Sequence, residues 1–326
     1  METAAQAGGR RAGALANILG RYFIQWLLVL AVIVLGLLNQ NFRQPANLAN
    51  ILLQASFAGI GAAGMTLLII CGAFDLSVAG LLGLCGVALA EVLPAAGVVP
   101  AIIATLALGA VLGVANGLVV TKARIPAFIA TLGMMNIYLA LAFIWTNAQV
   151  IPVLNKDFQG LGFGTLLGVP IAFLVMIVVY AVAYLVLNYT TYGRYIRAVG
   201  SNEIASRVAG LPVDRVRVFA FVMVGVFTAL AGILLTGMLS SANAIMATGF
   251  ELNVIAVVVV GGTSLAGGQG TLFGSFTGAL FFTVINNSLN MFGVAAYWQY
   301  VAVGLIIIFA LGIEALRRRF MGVGRG

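Results

Sequence analysis

The chain has 326 residues, of which 63% are hydrophobic and 7% are charged, against about 25% charged residues in an average soluble domain. This composition excludes a water-soluble domain of useful size, because membrane-crossing helices of about 20 residues each take up most of the chain. The net charge of +8 comes from loops and tails rather than from one basic face, so nucleic-acid binding is not indicated. The sequence therefore predicts an all-α fold, a polytopic transmembrane helical bundle.

Three regions are expected along the chain. Residues 1–20 are rich in Ala and Gly and lack the apolar core of a secretory signal, so they are predicted to be a disordered cytoplasmic tail. Residues 21–317 form a single transmembrane domain, and residues 318–326 form a cytoplasmic C-terminal tail. Cys71 and Cys85 are isolated from any ligand-like spacing, which indicates neither a metal site nor a disulfide.

Hydrophobic runs predict about ten spans. In chain order they cover residues 22–38, 48–70, 78–93, 101–120, 128–145, 165–188, 219–239, 251–262, 272–291 and 297–316. Pro94 and Pro100 are expected to bracket the turn between the third and fourth spans. The segment 251–262 is too short for an ordinary span, so it either crosses the membrane as a broken helix or is re-entrant.

Closely spaced glycines occur in two predicted spans. They are Gly59, Gly61 and Gly64 in the second span, and Gly109, Gly113 and Gly117 in the fourth. Small residues let helices approach closely in a bilayer, where packing rather than water exclusion drives helix association. Both glycine sets therefore predict helix-contact faces.

Polar side chains at membrane depth are few and mostly neutral. Asp75, directly before the third span, is either a helix N-cap or a functional intramembrane acid. Five asparagines are candidates for lining a path for a neutral hydroxylated solute: Asn116, Asn136, Asn286, Asn287 and Asn290. Hydrogen bonds between helices are the alternative explanation for each of them.

The polar interval 190–217 orients the predicted bundle. It holds five of the sixteen basic residues, namely Arg194, Arg197, Arg207, Arg215 and Arg217. A Lys/Arg-rich loop between spans is retained on the cytoplasmic side. With ten spans, both termini are then cytoplasmic, and only Arg43 and Lys156 among the basic residues lie outside.

A short helix is predicted inside this interval. Ser201 or Asn202 can cap its beginning, Glu203 suits its first turn, and Gly210 followed by Pro212 ends it.

Two pairs of side chains lie on this predicted helix. Glu203 and Arg207 are spaced to pair at i,i+4. Ile204 and Val208 belong to a small apolar stripe on another side. The stripe is covered by the ends of the protein's own spans, by the lipid surface, or by a partner protein on which the helix docks.

Three stretches resemble the membrane permeases of ATP-binding-cassette importers, most closely the ribose/xylose-type (monosaccharide) permeases. They are Ala198-Val-Gly-Ser-Asn-Glu-Ile-Ala with Val208-Ala-Gly-Leu-Pro-Val, Cys71-Gly-Ala-Phe-Asp-Leu-Ser77, and the interval 248–280 with Gly261-Gly-Thr-Ser-Leu. The resemblance implies a permease domain at residues 21–317 and a coupling loop that docks on an ATPase. The residues it assigns to that loop are Gly200, Ser201, Asn202, Glu203, Ile204, Arg207, Val208 and Gly210.

The same resemblance implies the surroundings of the protein. It predicts a multi-pass protein of the bacterial inner membrane that works with a separate ATPase, an extracytoplasmic solute-binding protein and a second permease subunit, identical or different. Such a permease is a transport subunit without a cofactor, rather than an enzyme, because ATP hydrolysis belongs to the partner.

Other functions explain less of the sequence. Gly262-Thr-Ser-Leu-Ala-Gly267 has the spacing of a P-loop but continues with Gly268-Gln269 instead of Lys-Ser/Thr, so a phosphate cradle is excluded. A branched-chain amino-acid-type permease is one alternative. An ion-coupled secondary carrier is the other, although such carriers usually place ionisable relays at membrane depth and this chain has no histidine.

Overall fold

The structure, a computed structural model, describes residues 22–295 and scattered positions between 297 and 312. Both predicted tails and half of the tenth predicted span therefore lie outside the described residues. The helices before the basic interval are α1 (Phe23–Leu38), α2 (Pro45–Ile70), α3 (Val78–Ala96), α4 (Val98–Lys122), α5 (Ala127–Thr146), α6 (Lys156–Phe163) and α7 (Ile171–Tyr189). The later helices are α8 (Thr191–Ser201), α9 (Glu203–Val208), α10 (Val213–Leu239), α11 (Phe250–Val260) and α12 (Leu272–Met291).

Extended structure is confined to four two-residue strands, within the part of the chain that is described. Strands β1 (Ile151–Pro152) and β4 (Ser241–Ala242) pair antiparallel, as do β2 (Thr165–Leu166) and β3 (Val169–Pro170). A short 3₁₀ helix (Gln40–Arg43) connects α1 to α2.

Seven of the described helices, namely α2, α3, α4, α5, α7, α10 and α12, are long and apolar enough to cross a membrane. Helices α1 and α11 are apolar but shorter, with 16 and 11 residues. The predicted helical membrane bundle is confirmed, and the count of ten spans stays a prediction.

Helices α2 and α3 are buried along most of their length, whereas less than half of α4, α5 and α7 is buried. Helix α10 packs against α2, α3 and α4, and α12 packs against α2. The core of the bundle is therefore built around α2, α3 and α10, with the other long helices around it.

Glycines form the closest helix contacts in the bundle. A Cβ atom at Gly113 of α4 would lie 2.6 Å from the carbonyl oxygen of Phe221 in α10. At Gly64 of α2, a Cβ atom would lie 2.9 Å from the Cα atom of Val224 in the same helix α10. Real Cβ atoms hardly ever show such distances, so these positions admit only glycine without moving the helices. Both predicted glycine faces are confirmed as contact faces.

The two ends of the bundle differ sharply in charge. At one end, here called the basic end, α2, α4 and α7 finish, α5, α10 and α12 begin, and α8 and α9 lie between them. Seven of the nine basic residues within 22–295 are at this end: Lys122, Arg124, Arg194, Arg197, Arg207, Arg215 and Arg217. Arg43 and Lys156 lie at the opposite end.

Several predicted boundaries differ from the structure by a few residues, and three of the differences affect the description of the bundle. Pro94 lies inside α3, and the chain turns at Gly97, whose φ of +84° suits glycine. The predicted span 165–188 begins only at Ile171, because the hairpin β2–β3 occupies the preceding residues. Helix α10 begins at Val213, six residues before the predicted start at Phe219, so Arg217 lies on the helix.

The charge asymmetry predicts that the basic end faces the cytoplasm. Cysteines introduced as Gln44→Cys at the opposite end and Ser201→Cys at the basic end test this, since both positions are exposed. The native Cys71 and Cys85 are buried and should contribute little background labelling. An impermeant thiol reagent added to intact cells should label Gln44→Cys and spare Ser201→Cys until the membrane is opened. Labelling of Ser201→Cys in intact cells would show that the basic end faces outward.

Candidate functional site

The basic loop, residues 190–212, folds as two short helices joined at Asn202. The Thr190 hydroxyl accepts a hydrogen bond from the Gly193 amide at 3.2 Å and caps α8. The Asn202 side chain accepts one from the Ala205 amide at 2.9 Å and caps α9. Of the two predicted N-caps of α9, Asn202 is therefore the one observed. Helix α8 was not predicted.

The end of α9 follows a Schellman motif. The Gly210 amide donates to the Arg207 carbonyl at 3.0 Å, and the Leu211 amide donates to the Ser206 carbonyl at 3.0 Å. Gly210 has a φ of +78°, the left-handed conformation that this motif requires. The helix ends at Val208 with Ala209 as its C-cap, so the predicted end before Gly210 is confirmed.

Ion pairs fix α9 against the first turn of α10. Glu203 accepts hydrogen bonds from Arg217 at 2.7 Å and from Arg207 at 3.0 Å. Arg207 also reaches Asp214 at 2.8 Å, and Lys122 of α4 lies 3.6 Å from the same carboxylate. Because most of these groups are partly exposed, they orient α9 more than they stabilise the fold.

The ion pairs shift the pKa values of Glu203 and Arg207 on α9. The hydrogen bond from Arg217 lowers the pKa of Glu203 below its usual value, with a smaller contribution from Arg207. Hydrogen bonds to Asp214 and Glu203 raise the pKa of Arg207. A lowered carboxyl pKa means that the pairing is present at neutral pH and is lost only as the pH falls through that lowered value.

The apolar side chains of α9 are left uncovered. Ile204 is 77% exposed and Val208 is 85% exposed, and their i,i+4 spacing places them side by side on the helix. The ends of the protein's own described spans do not cover them, which removes one of the three alternatives considered from the sequence. The basic end therefore presents a rigid, capped helix with two exposed apolar side chains.

A polar network lies between α3, α4 and α5. Asn116 is fully buried and donates to Asp75 at 2.9 Å and to Ser77 at 2.7 Å. It accepts from the Tyr138 hydroxyl at 2.8 Å. The other carboxylate oxygen of Asp75 accepts from the Ser77 amide at 2.7 Å. Asp75 thus caps the turn before α3, rather than the first turn of α3 itself, and its partners belong to the protein.

The remaining candidate asparagines lie in two other places. On α12, Asn287 exchanges hydrogen bonds with Asn47 at 2.9 and 3.2 Å, and Asn290 accepts from Gln299 at 2.7 Å. Asn286 on the same helix is half-buried. On α5, Asn136 is exposed and donates to the Leu132 carbonyl of its own helix at 3.0 Å. The five asparagines therefore do not form a single site.

Two features of the site escaped the sequence-based prediction. The contact of Arg217 with Glu203 was not predicted, because it depends on the early start of α10. Pro212 and the acidic Asp214 in the first turn of α10 are the sequence signals of that start. The hydrogen bond from Tyr138 to Asn116 could not be predicted from the sequence, because tyrosines are common on apolar helices. Within the described residues, no three His, Cys, Asp or Glu side chains are placed to hold a metal ion.

Comparison with known proteins gives consistent results. A family model described as branched-chain amino acid transport system / permease component matches residues 47–311. The ribose import permease protein RbsC of Escherichia coli (strain K12) is 39% identical over 96% of this chain and 98% of its own. RbsC of Bacillus subtilis (strain 168) is 39% identical over 88% and 90%. The L-arabinose ABC transporter permease protein AraH of Azospirillum brasilense is 32% identical over 97% and 93%. No solved structure matches the chain.

Two asparagines at membrane depth allow a matched test of the buried network. Asn116→Leu should destabilise the protein, because Asp75 Oδ2 and the Ser77 hydroxyl lose a buried partner at about 1–3 kcal/mol for each group left unpaired, whereas the Tyr138 hydroxyl keeps the Leu112 carbonyl. Asn136→Leu should change stability little, since Asn136 is exposed and bonds only to its own helix. Thermal unfolding of both variants in detergent measures the difference. Equal unfolding temperatures would contradict a structural role for the network.

Proposed function

The chain belongs to the family of branched-chain amino acid transport system permease components, and from this premise we propose that it imports a monosaccharide as the membrane-spanning subunit of an ATP-binding-cassette importer. It is a transport subunit rather than an enzyme. The observation that carries the proposal is the exposed, capped helix α9 at the basic end, in a chain 39% identical to ribose import permeases along nearly its whole length.

The first proposed partner is a separate ATPase subunit that docks on α9. Ile204 and Val208 would insert into an apolar groove of that partner, which would bury side chains that are 77% and 85% exposed here. The ion pairs Glu203–Arg217 and Arg207–Asp214 join α9 to α10 and orient it before docking. A preorganised helix loses less entropy on binding than a flexible loop would.

The second proposed partner is an extracytoplasmic solute-binding protein at the opposite end. In the bacterial cytoplasmic membrane the basic end would face the cytoplasm. The opposite end then carries a folded external surface in which β1 and β4 pair and α6 packs against α10. Gly162 of α6 lies so close to Gly237 and Met238 of α10 that a side chain there would overlap them. This firm surface suits a protein partner.

The third proposed partner is a second copy of this chain, packed on α5. Gly133, Asn136 and Ala140 lie along one exposed face of α5, and no atom of the described residues lies within 4 Å of a Cβ atom at Gly133. An amide facing lipid is unfavourable, and small residues favour close helix contact in a bilayer. A twofold-symmetric pair of α5 helices would cover this face.

The solute path is proposed to follow the same interface. Asn136 would then offer its amide to the hydroxyl groups of a sugar, and α5 carries no charged side chain that would favour an ion. Asn116 lies deeper, where its hydrogen-bonding groups are occupied by Asp75, Ser77 and Tyr138. It would act by holding α5 against α3 and α4. Asn286, Asn287 and Asn290 remain proposed pathway residues on α12.

Two alternatives differ in what they require. A branched-chain amino-acid permease is favoured by the description of the matching family, whereas the named relatives quoted above are ribose and arabinose permeases. An ion-coupled carrier would transport in vesicles without ATP, driven by a proton or sodium gradient. Uptake by the proposed importer would depend on ATP and on the ATPase subunit.

The docking proposal predicts the effect of a charge on α9. Ile204→Asp would place an unpaired carboxylate in an apolar contact, which should cost at least about 2 kcal/mol of binding free energy, or roughly a 30-fold loss of affinity. Copurification of the ATPase and ATP-dependent uptake should both fall, while the amount of protein in the membrane stays normal.

A matched control is Leu154→Asp. Leu154 is 78% exposed and lies at the opposite end of the bundle, so the same charge there should leave ATPase copurification unchanged. Normal ATPase binding and uptake by Ile204→Asp would mean that α9 does not dock on the ATPase.

The dimer proposal predicts cross-linking between two copies through α5. Gly133→Cys should be accommodated, because the space around this position is open, and thiol cross-linking in membranes should yield a covalent dimer. Val178→Cys on the exposed side of α7 is the control and should remain monomeric. A dimer formed by Val178→Cys but not by Gly133→Cys would place the second subunit elsewhere.

A further inference from the structure

Three chain segments meet backbone to backbone at the basic end. They are the end of α2 at Ile70–Gly72, the end of α8 at Gly200, and the loop between α11 and α12 at Gly267–Gly268. The Gly268 amide donates to the Ile70 carbonyl at 2.8 Å, which joins the loop directly to α2. We call Gly72, Gly200, Gly267 and Gly268 the glycine junction.

The junction leaves no room for a side chain at Gly200, Gly267 or Gly268. A Cβ atom at Gly200 would overlap the Ile70 carbonyl oxygen and lie 2.7 Å from the Gly268 nitrogen. A Cβ atom at Gly267 would lie 2.7 Å from the Gly200 carbonyl oxygen and 3.0 Å from the Gly72 Cα atom. Gly72, Gly267 and Gly268 also have φ values of +84°, +86° and +74°. Glycine is therefore required at these positions by contact, by conformation or by both.

The junction sits directly beside the proposed docking helix. Gly200 precedes Asn202, the N-cap of α9, by two residues, and a Cβ atom at Gly268 would lie 3.0 Å from the Cα atom of Ser201. On its other side the α11–α12 loop is equally tight, since a Cβ atom at Gly261 would lie 2.6 Å from the backbone of Gly274. A continuous run of backbone contacts thus leads from α9 to α2, α11 and α12.

We propose that the glycine junction transmits movement of α9 to α2 and to the α11–α12 pair during transport. A side-chain contact can absorb a small displacement by changing rotamer, whereas close-packed backbone atoms must move together. The inference rests on the proposed docking of the ATPase on α9. It adds the four glycines through which docking of the ATPase would move the membrane-spanning helices.

Three glycines with nearly the same backbone conformation provide a matched series. Gly262, Gly72 and Gly267 have φ values of +88°, +84° and +86°. Among the described residues, no atom lies within 4 Å of a Cβ atom built at Gly262. A Cβ atom at Gly72 would lie 3.6 Å from Gly200, and one at Gly267 would lie 2.7 Å from Gly200. Alanine at each position introduces a similar conformational strain but a graded contact with Gly200, so Gly262→Ala is the control for strain alone.

The variants are reconstituted in vesicles with the ATPase and the binding protein, and ribose uptake and ATP hydrolysis are measured together. Gly267→Ala should transport about tenfold less ribose per ATP hydrolysed than Gly262→Ala, because the added methyl group separates packed backbones. Gly72→Ala should lie between them. The ratio corrects for any loss of protein through instability.

A second measurement does not depend on the transported sugar. Asn290→Cys near the far end of α12 is exposed, so its rate of labelling by a thiol reagent should change when ATP is added to the complex. This change should persist in Gly262→Ala and disappear in Gly267→Ala.

The outcomes separate the two proposals. If the unaltered chain fails to retain the ATPase, the proposed function is wrong. If the ATPase is retained but Gly267→Ala matches Gly262→Ala both in ribose transported per ATP and in the labelling change, the glycine junction does not transmit the displacement.

Discussion

The constraint on which this structure depends is that helices in a bilayer gain little from burying apolar surface against one another. Lipid tails are as apolar as leucine, so stability comes from close packing and from satisfied polar groups. Glycines supply the close packing here, as where Gly113 of α4 lies against Phe221 and Val222 of α10. The result is a tight centre of α2, α3 and α10, and peripheral helices that can expose whole faces.

Close packing also decides what polar groups can do. In the centre, Asp75, Asn116 and Tyr138 satisfy one another, which makes them structural rather than available to a solute. Asn136 lies on a peripheral helix and keeps its side chain exposed. Asparagines in neighbouring spans therefore differ in their surroundings, since Asn116 is buried and hydrogen-bonded to three side chains whereas Asn136 is exposed.

The sequence predicted the bundle well and its irregular parts poorly. Hydropathy placed the span 272–291 at the observed residues of α12, because each crossing needs its own apolar run. The pairing of Ile151–Pro152 with Ser241–Ala242 was not predictable, since it joins two-residue strands about 90 residues apart in the chain. Helix α8 was missed because Gly193 and Gly200 are weak helix formers whose positions are fixed by tertiary contacts instead.

The same division holds within the candidate site. Asn202, Gly210 and the i,i+4 pair of Ile204 and Val208 follow local rules, and local rules predicted α9. Whether Ile204 and Val208 are covered depends on the residues that pack beside α9, and local sequence rules do not predict those residues. The structure attaches the basic loop through the backbone at Gly200 and through charged groups around Glu203. Because neither attachment uses the apolar side chains of α9, those side chains stay free for a partner.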